Sequence, residues 1–210
     1  MRKALLTVFL AAVLFLPPLP MAPARAADAP IGPAEAAVAD LNQTLLKALH
    51  SPAAKEFGER VTMLHPLMVA AFDYPFMARI AAGRYWDDFT EAQRKRYVAL
   101  FTDLAVAVAA SRFKAQPDAA IAITGTRDGP RETRLVETRL TLPGSPSRDI
   151  AYLMRQDKDG SWRAIDVFFE ARVSELSTKR SEYTSVLGKE GIPAFLDILQ
   201  DKLEDYDGSA

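Results

Sequence analysis

At 210 residues, 49% of them apolar, the chain has enough material for one well-buried core and is short for two. Its formal charge of −1 argues against a nucleic-acid partner. The absence of cysteine excludes disulfides, thiolate catalysis and Cys-ligated metal, so packing alone must stabilise the fold.

Met1-Arg2-Lys3 is a positive start, Ala4 to Leu16 an apolar run of thirteen, and Ala24-Arg25-Ala26 a small-x-small cleavage site. Together they predict a secretory signal peptide over residues 1–26. Thirteen residues broken by Pro17-Pro18 fall short of the roughly twenty needed to cross a bilayer, and no transmembrane segment follows cleavage. Removing Arg2, Lys3 and Arg25 takes the formal charge to −4. Residues 27–33 are expected to be a linker, and 34–206 a single domain.

Val38, Leu41, Leu45 and Leu49 step by three, four and four along a first helix that ends near Ser51-Pro52. A second helix is expected from about Ala54 to Leu64, interrupted at His65-Pro66. Next, Asp73 can cap a helix that has Pro75 in its first turn and Gly83 as its stop. Phe72, Phe76 and Ile80, at four-residue spacing, are expected to point inward, with Arg79 and Arg84 to the side. Thr90 to Gln93 is a capping box, and Tyr97, Phe101, Leu104 and Val108 form the stripe of the clearest helix. Its second half, Leu104 to Ala110, is small and apolar nearly all round, so it should be buried on more than one face, either by close packing or around a guest.

From about Ala119 the period becomes two. Ile121 and Ile123 mark one strand, Val136, Thr138, Leu140 and Leu142 a second, and Ile150, Tyr152 and Met154 a third. On the fourth, Trp162 to Phe169, strict alternation groups Ile165, Val167 and Phe169 against Trp162, Ala164, Asp166 and Phe168. Short turns at Asp128-Gly129, Pro143 to Pro146 and Asp157 to Gly160 predict an antiparallel meander. The chain closes with a helix from about Ser174 to Leu187 and another begun by Pro193, with Ile192, Phe195, Leu199 and Leu203 as its stripe. The fold class is therefore α+β, a four-stranded sheet packed against several helices.

Catalytic chemistry finds few residues to work with. His50 and His65 lack metal-ligand spacing and there is no phosphate loop, so neither a metal site nor a cofactor is expected. Asp73 and Asp166 could act as bases in an apolar setting, but Asp73 has a capping role, and Asp166 could pair with Arg79 or Arg84. The Arg94-Lys95-Arg96 run is a solvated helix face or part of a docking patch.

Several of these segments, in order, resemble the MlaC family of secreted lipid-binding proteins, including its hopanoid-associated HpnM branch. They are Phe72-Asp73-Tyr74-Pro75 with Met77 and Gly83-Arg84-Tyr85-Trp86, Gln93 to Phe101, Trp162 to Val167, and Arg180-Ser181-Glu182-Tyr183. Thirteen residues separate Asp166 from Arg180, as in the hopanoid branch, whereas Gly-Arg-Tyr-Trp is like the phospholipid branch; Ala171 stands where the family often has glycine. The resemblance implies an NTF2-like cone with a curved sheet, and a monomeric, non-enzymatic periplasmic carrier of phospholipid or hopanoid. It also implies an inner-membrane transporter complex and an outer-membrane lipoprotein complex as partners. The expected lipid-binding residues are Phe72, Phe76, Met77, Ile80, Trp86, Phe101, Leu104, Val108, Leu140, Tyr152, Met154, Val167 and Phe169, with the acyl chains between the small-residue half of the long helix and the sheet. An enzyme on the same cone is the reading from another class.

Overall fold

The computed structural model describes residues 32–112, 116–170 and 173–208. The predicted signal peptide, most of the linker and Ala171 lie outside these residues. Helix α1, Pro33–His50, opens with proline, whose missing N–H costs nothing in the first turn, and with the Glu35 carboxylate accepting the Gly32 N–H at 2.9 Å. Val38, Leu41, Leu45 and Leu49 are all buried. After a 3-10 turn, Pro52–Lys55, comes α2, Phe57–Ala71. The break expected at Pro66 does not occur, because the proline lies on the exposed face, where water can take up the carbonyl that its ring leaves free.

Phe72 leaves α2 in an extended conformation and meets the sheet. It forms a parallel bridge with Ala164, and the Asp73 N–H donates to the Ala164 carbonyl at 3.0 Å. Helix α3, Tyr74–Ala82, follows, with Asp73 Oδ1 accepting the Phe76 N–H at 3.0 Å. Its buried residues are Tyr74, Met77, Ala78, Ala81 and Ala82. That corrects the expected inward stripe: Phe72 precedes the helix and cannot define its face, and Phe76 and Ile80 are half-buried. Gly83 ends α3 at φ +58, where a Cβ would also stand 3.1 Å from Thr184 Cγ2, so both backbone and space demand glycine.

The 3-10 turn Gly83–Asp88 leads to α4, Glu91–Arg112. The Thr90 N–H donates to Gln93 Oε1 at 2.9 Å and the Gln93 N–H to Thr90 Oγ1 at 3.2 Å, forming the reciprocal cap that the sequence predicts. Val106, Ala107, Ala109 and Ala110 are buried together with Tyr97, Phe101 and Leu104, so the second half of α4 is covered on more than one side. Buried Arg60 of α2 donates to the Ala110 carbonyl at 2.6 Å and satisfies one of the groups that a helix end leaves open.

The strands β1 Ala120–Asp128, β2 Arg134–Thr141, β3 Arg148–Gln156 and β4 Trp162–Phe169 form an antiparallel meander in chain order. A fifth strand, β5 Val173–Ser174, pairs with Phe169 and Phe168. Two residues are too few for alternation to show, so the sequence reveals only four strands. Helix α5, Glu175–Gly208, is interrupted at Gly191 (φ 75, ψ 173), which separates the two predicted C-terminal helices. Phe195, Leu196 and Leu199 of the second are buried. Helix α1 runs along β1 to β4, while α4 packs chiefly on α2, α3 and α5. Among the described residues no helix is long and apolar enough to cross a membrane.

Candidate functional site

One face of the sheet is apolar and belongs to the hydrophobic core shared with the helices. Val136 lies opposite Tyr152, and Tyr152 opposite Val167; Ile150 is paired with Phe169, and Leu140 with Ile121. Thr138 shares this face, and its hydroxyl donates to the Ile150 carbonyl at 2.9 Å. On β4 the register corrects the expected alternation. Leu153 pairs with Asp166 but Met154 with Ala164, leaving Ile165 as an extra residue. This bulge reverses the alternation and puts Trp162 and Ala164 on the face of Val167 and Phe169. Apolar residues on both sides of β4 hid the shift from pattern reading.

Four rings connect α4 to this face. Phe101 is 6.2 Å from Tyr74, Tyr74 is 5.4 Å from Phe72, and Phe72 is 6.3 Å from Tyr152, between centroids. Phe72, Phe101 and Tyr152 are thus brought together as expected, but through Tyr74, which is not among the expected lipid-binding residues. Its position at the start of α3 carried no periodic signal. The aromatic link shows that α4 reaches the sheet through side chains borne by the α2–α3 junction.

Burial along the apolar face is uneven. At one end Val136, Met154 and Ala164 are sealed. Towards the other, Leu140 and Ile150 are buried but Ile121, Leu142, Val167 and Phe169 are only half-buried, as are Val108 in the last turns of α4 and Trp162 beyond Ala164. The Arg112 guanidinium carbon stands 5.2 Å from the centre of the Phe169 ring, so the end of α4 overlies the end of β4. Val108, one turn before Arg112, shares its side of the helix. Leu104, Leu140 and Met154 are buried in the same core.

The remaining expected contacts are elsewhere. Trp86 belongs with Phe89 and Tyr97 in an aromatic group and carries Arg94 over its ring at 5.4 Å. Phe76 is flanked by Arg155 at 3.9 Å and Arg79 at 5.6 Å. Met77 is buried within α3, and Ile80 is half-buried beside it. A 140 Å³ depression lined by Thr124, Glu137, Thr138, Arg139, Asp149, Ile150 and Ala151 lies apart from these residues and carries the charges of Glu137, Arg139 and Asp149.

Both candidate bases have structural partners. Asp73 caps α3 with one oxygen and accepts from Arg155 at 2.5 Å with the other, which ties α3 to β3. Asp166 does not pair with Arg79 or Arg84. It accepts from the Ser174 hydroxyl at 2.6 Å and from the Val167 and Leu176 N–H groups at 2.8 and 3.0 Å, which fixes the start of α5. The arginine expectation failed because β5 supplies donors within a few residues. Burial holds the Asp166 carboxyl above its ordinary value of 3.8, outweighing these hydrogen bonds. The folded state then binds the proton more tightly, so the group stabilises most below pH 3.8, and that contribution is lost as pH rises through the raised folded value. Asp166→Asn is expected to fold and to flatten this part of the stability–pH curve. Asp166→Ala, which strands two N–H groups, should cost about 1–3 kcal/mol at every pH. Denaturant titrations from pH 3 to pH 7 check both.

His50 Nε2 is 2.9 Å from the Ala119 carbonyl and His65 Nε2 is 3.3 Å from Asp103 Oδ1. Among the described residues no cluster of three His, Asp or Glu could hold a metal. The arrangement offers an apolar face shared by sheet and helices, with both candidate acids engaged in holding elements together.

A phospholipid-binding protein from Ralstonia solanacearum, solved in complex with a phospholipid, has the same fold, with a TM-score of 0.75 at 16% identity over 84% of this chain and 99% of the other. No curated protein matches the sequence. The MlaC protein family model matches residues 39–201, which include α2 to α4, the whole meander and most of α5, and the chain therefore belongs to the MlaC family.

Proposed function

We infer that the protein is a periplasmic lipid carrier. It shelters the acyl chains of a phospholipid against the apolar face of the sheet and moves the lipid between the inner and outer membranes as a monomer. The observation that carries this reading is the apolar sheet face turned to the helices, on which Ile121, Leu142, Val167 and Phe169 remain half-buried beside the closed core. The phospholipid bound by the Ralstonia protein of the same fold supports it.

Magnitude favours a carrier over an enzyme. Two acyl chains with about thirty methylenes, at roughly 0.8 kcal/mol each, face on the order of 25 kcal/mol in water. Shielding the chains is sufficient work, and no acid–base group is needed for it. Membership of the family supports a binding and transport role, export by the predicted signal peptide, and delivery to an inner-membrane transporter complex and an outer-membrane lipoprotein complex. The test is solvent extraction of the exported protein followed by mass spectrometry. A stoichiometric glycerophospholipid is the expected result; a hopanoid would reassign the cargo, and a protein free of lipid would overturn the carrier reading.

A further inference from the structure

Five of the six arginines in the strands are paired with carboxylates. Arg127 bonds Glu137, Arg134 bonds Asp128, Arg139 bonds Asp149, Arg155 bonds Asp73, and Arg163 lies 4.0 Å from both Asp157 and Asp159. The sixth, Arg148, is exposed and has no carboxylate partner among the described residues. It is the first residue of β3, opposite Leu140, and shares the apolar face with Ile150, whose partner is Phe169. Arg148 is therefore near the half-buried Phe169, beyond the buried Leu140 and Ile150. The neighbouring acid, Asp149, points to the other face and is held there by both arms of Arg139, at 2.7 and 3.1 Å.

Arg112 reaches Phe169 from the helical side. It is exposed, has no carboxylate partner among the described residues, and lays its guanidinium over the Phe169 ring. At 5.2 Å from the ring centre the guanidinium makes a cation–π contact that uses none of its N–H donors. The apolar stem can cover the ring while the charged head stays in water. Two cations with no carboxylate partner among the described residues, one over the Phe169 ring and the other, Arg148, two residues along β3 from Ile150, which pairs with Phe169, suit a group that is both anionic and attached to something apolar.

We propose that Arg112 and Arg148 hold the phosphate of the bound phospholipid beside Phe169, at the edge of the apolar face. The assignment rests on the carrier reading and names the part of the cargo that remains outside the apolar interior. A phosphate accepts several charge-assisted hydrogen bonds, which two arginines can supply together. A neutral diacylglycerol with the same chains would fill the interior but leave both arginines unmatched.

The test uses the exported protein, stripped of lipid and reloaded from vesicles that contain equal amounts of phosphatidylglycerol and a diacylglycerol of identical chains. Wild type is expected to retain phosphatidylglycerol over diacylglycerol by about tenfold or more, from two charge-assisted contacts. The Arg112→Gln/Arg148→Gln double variant, folded by circular dichroism, should bind both lipids about equally. No headgroup preference in wild type, or a preference unchanged in the variant, would overturn the proposal while leaving the carrier reading intact. Millimolar inorganic phosphate is expected not to displace phosphatidylglycerol. Displacement together with retained diacylglycerol would identify a free-phosphate site instead. Retention of neither lipid would overturn the carrier reading and the proposal together.

Discussion

Tyr97→Ala should lower the free energy of unfolding by about 3–5 kcal/mol, whereas Tyr97→Phe should be neutral or stabilising. Tyr97 is fully buried, and its ring centre lies 5.3 to 6.4 Å from those of Trp86, Phe89, Phe101, Tyr183 and Phe195. One residue thus joins the turn after α3, the body of α4 and both halves of α5. Truncation removes contacts on every side, and five rings locked by their own backbones have little freedom to collapse into the gap. The hydroxyl contributes nothing comparable, since it is buried without a hydrogen-bond partner among the described residues. Burial also pushes the phenol far above its usual value, so it remains protonated. Urea denaturation of the two variants checks the pair. A Tyr97→Phe loss as large as that of Tyr97→Ala would mean that the hydroxyl, not the ring, carries the stabilisation.

The second large effect concerns cargo. Val108→Trp is expected to reduce bound lipid several-fold while the protein remains folded. In a close-packed core the added volume would cost about 1–3 kcal/mol. Val108, however, is half-buried one turn from Arg112, which reaches Phe169, so an indole there has room to extend along the sheet face and take the place of acyl chain. Lipid content and thermal unfolding of the stripped protein need to be measured together. A marked loss of stability with lipid content unchanged would place the chains away from α4.

Much of the architecture could be read directly because its signals are local. The cap at Asp73, the box at Thr90 and Gln93, and the alternation of Val136, Thr138 and Leu140 are each contained within a few residues, and the structure retains them. What escaped depends on distant neighbours. Pro66 ends a helix in isolation, yet is tolerated where its side of α2 faces water. The bulge at Ile165 is set by pairing with β3, and no count along β4 alone can detect it.

The candidate site was legible to a similar degree. Phe72, Phe101, Tyr152, Val167 and Phe169 were placed on the apolar side of the fold by periodicity and resemblance. Phe76 was drawn in by its spacing from Phe72, but two guanidiniums occupy its flanks. Tyr74 was missed because a helix's first residue has no preceding turn against which a stripe can be traced. Arg112 and Arg148 look like ordinary surface charges in the sequence. Only the pairing of the other strand arginines distinguishes Arg148, and only the position of Phe169 distinguishes Arg112.

The chain-order meander has a kinetic consequence. Each strand finds its partner across a short turn, so the sheet can assemble from successive hairpins. The Phe72–Ala164 bridge and the docking of α5 on α3 and α4 instead close long stretches of chain, with the entropy spent before the contacts form. Substitutions in the hairpins should therefore slow folding, and those at Phe72 or Phe195 should mainly hasten unfolding. The same hierarchy separates the ladder of strands from the helical layer above it. Away from the backbone bond between Asp73 and Ala164, the helices meet the sheet through side chains, so the interior can widen there for a bulky molecule while the ladder of strands stays in place.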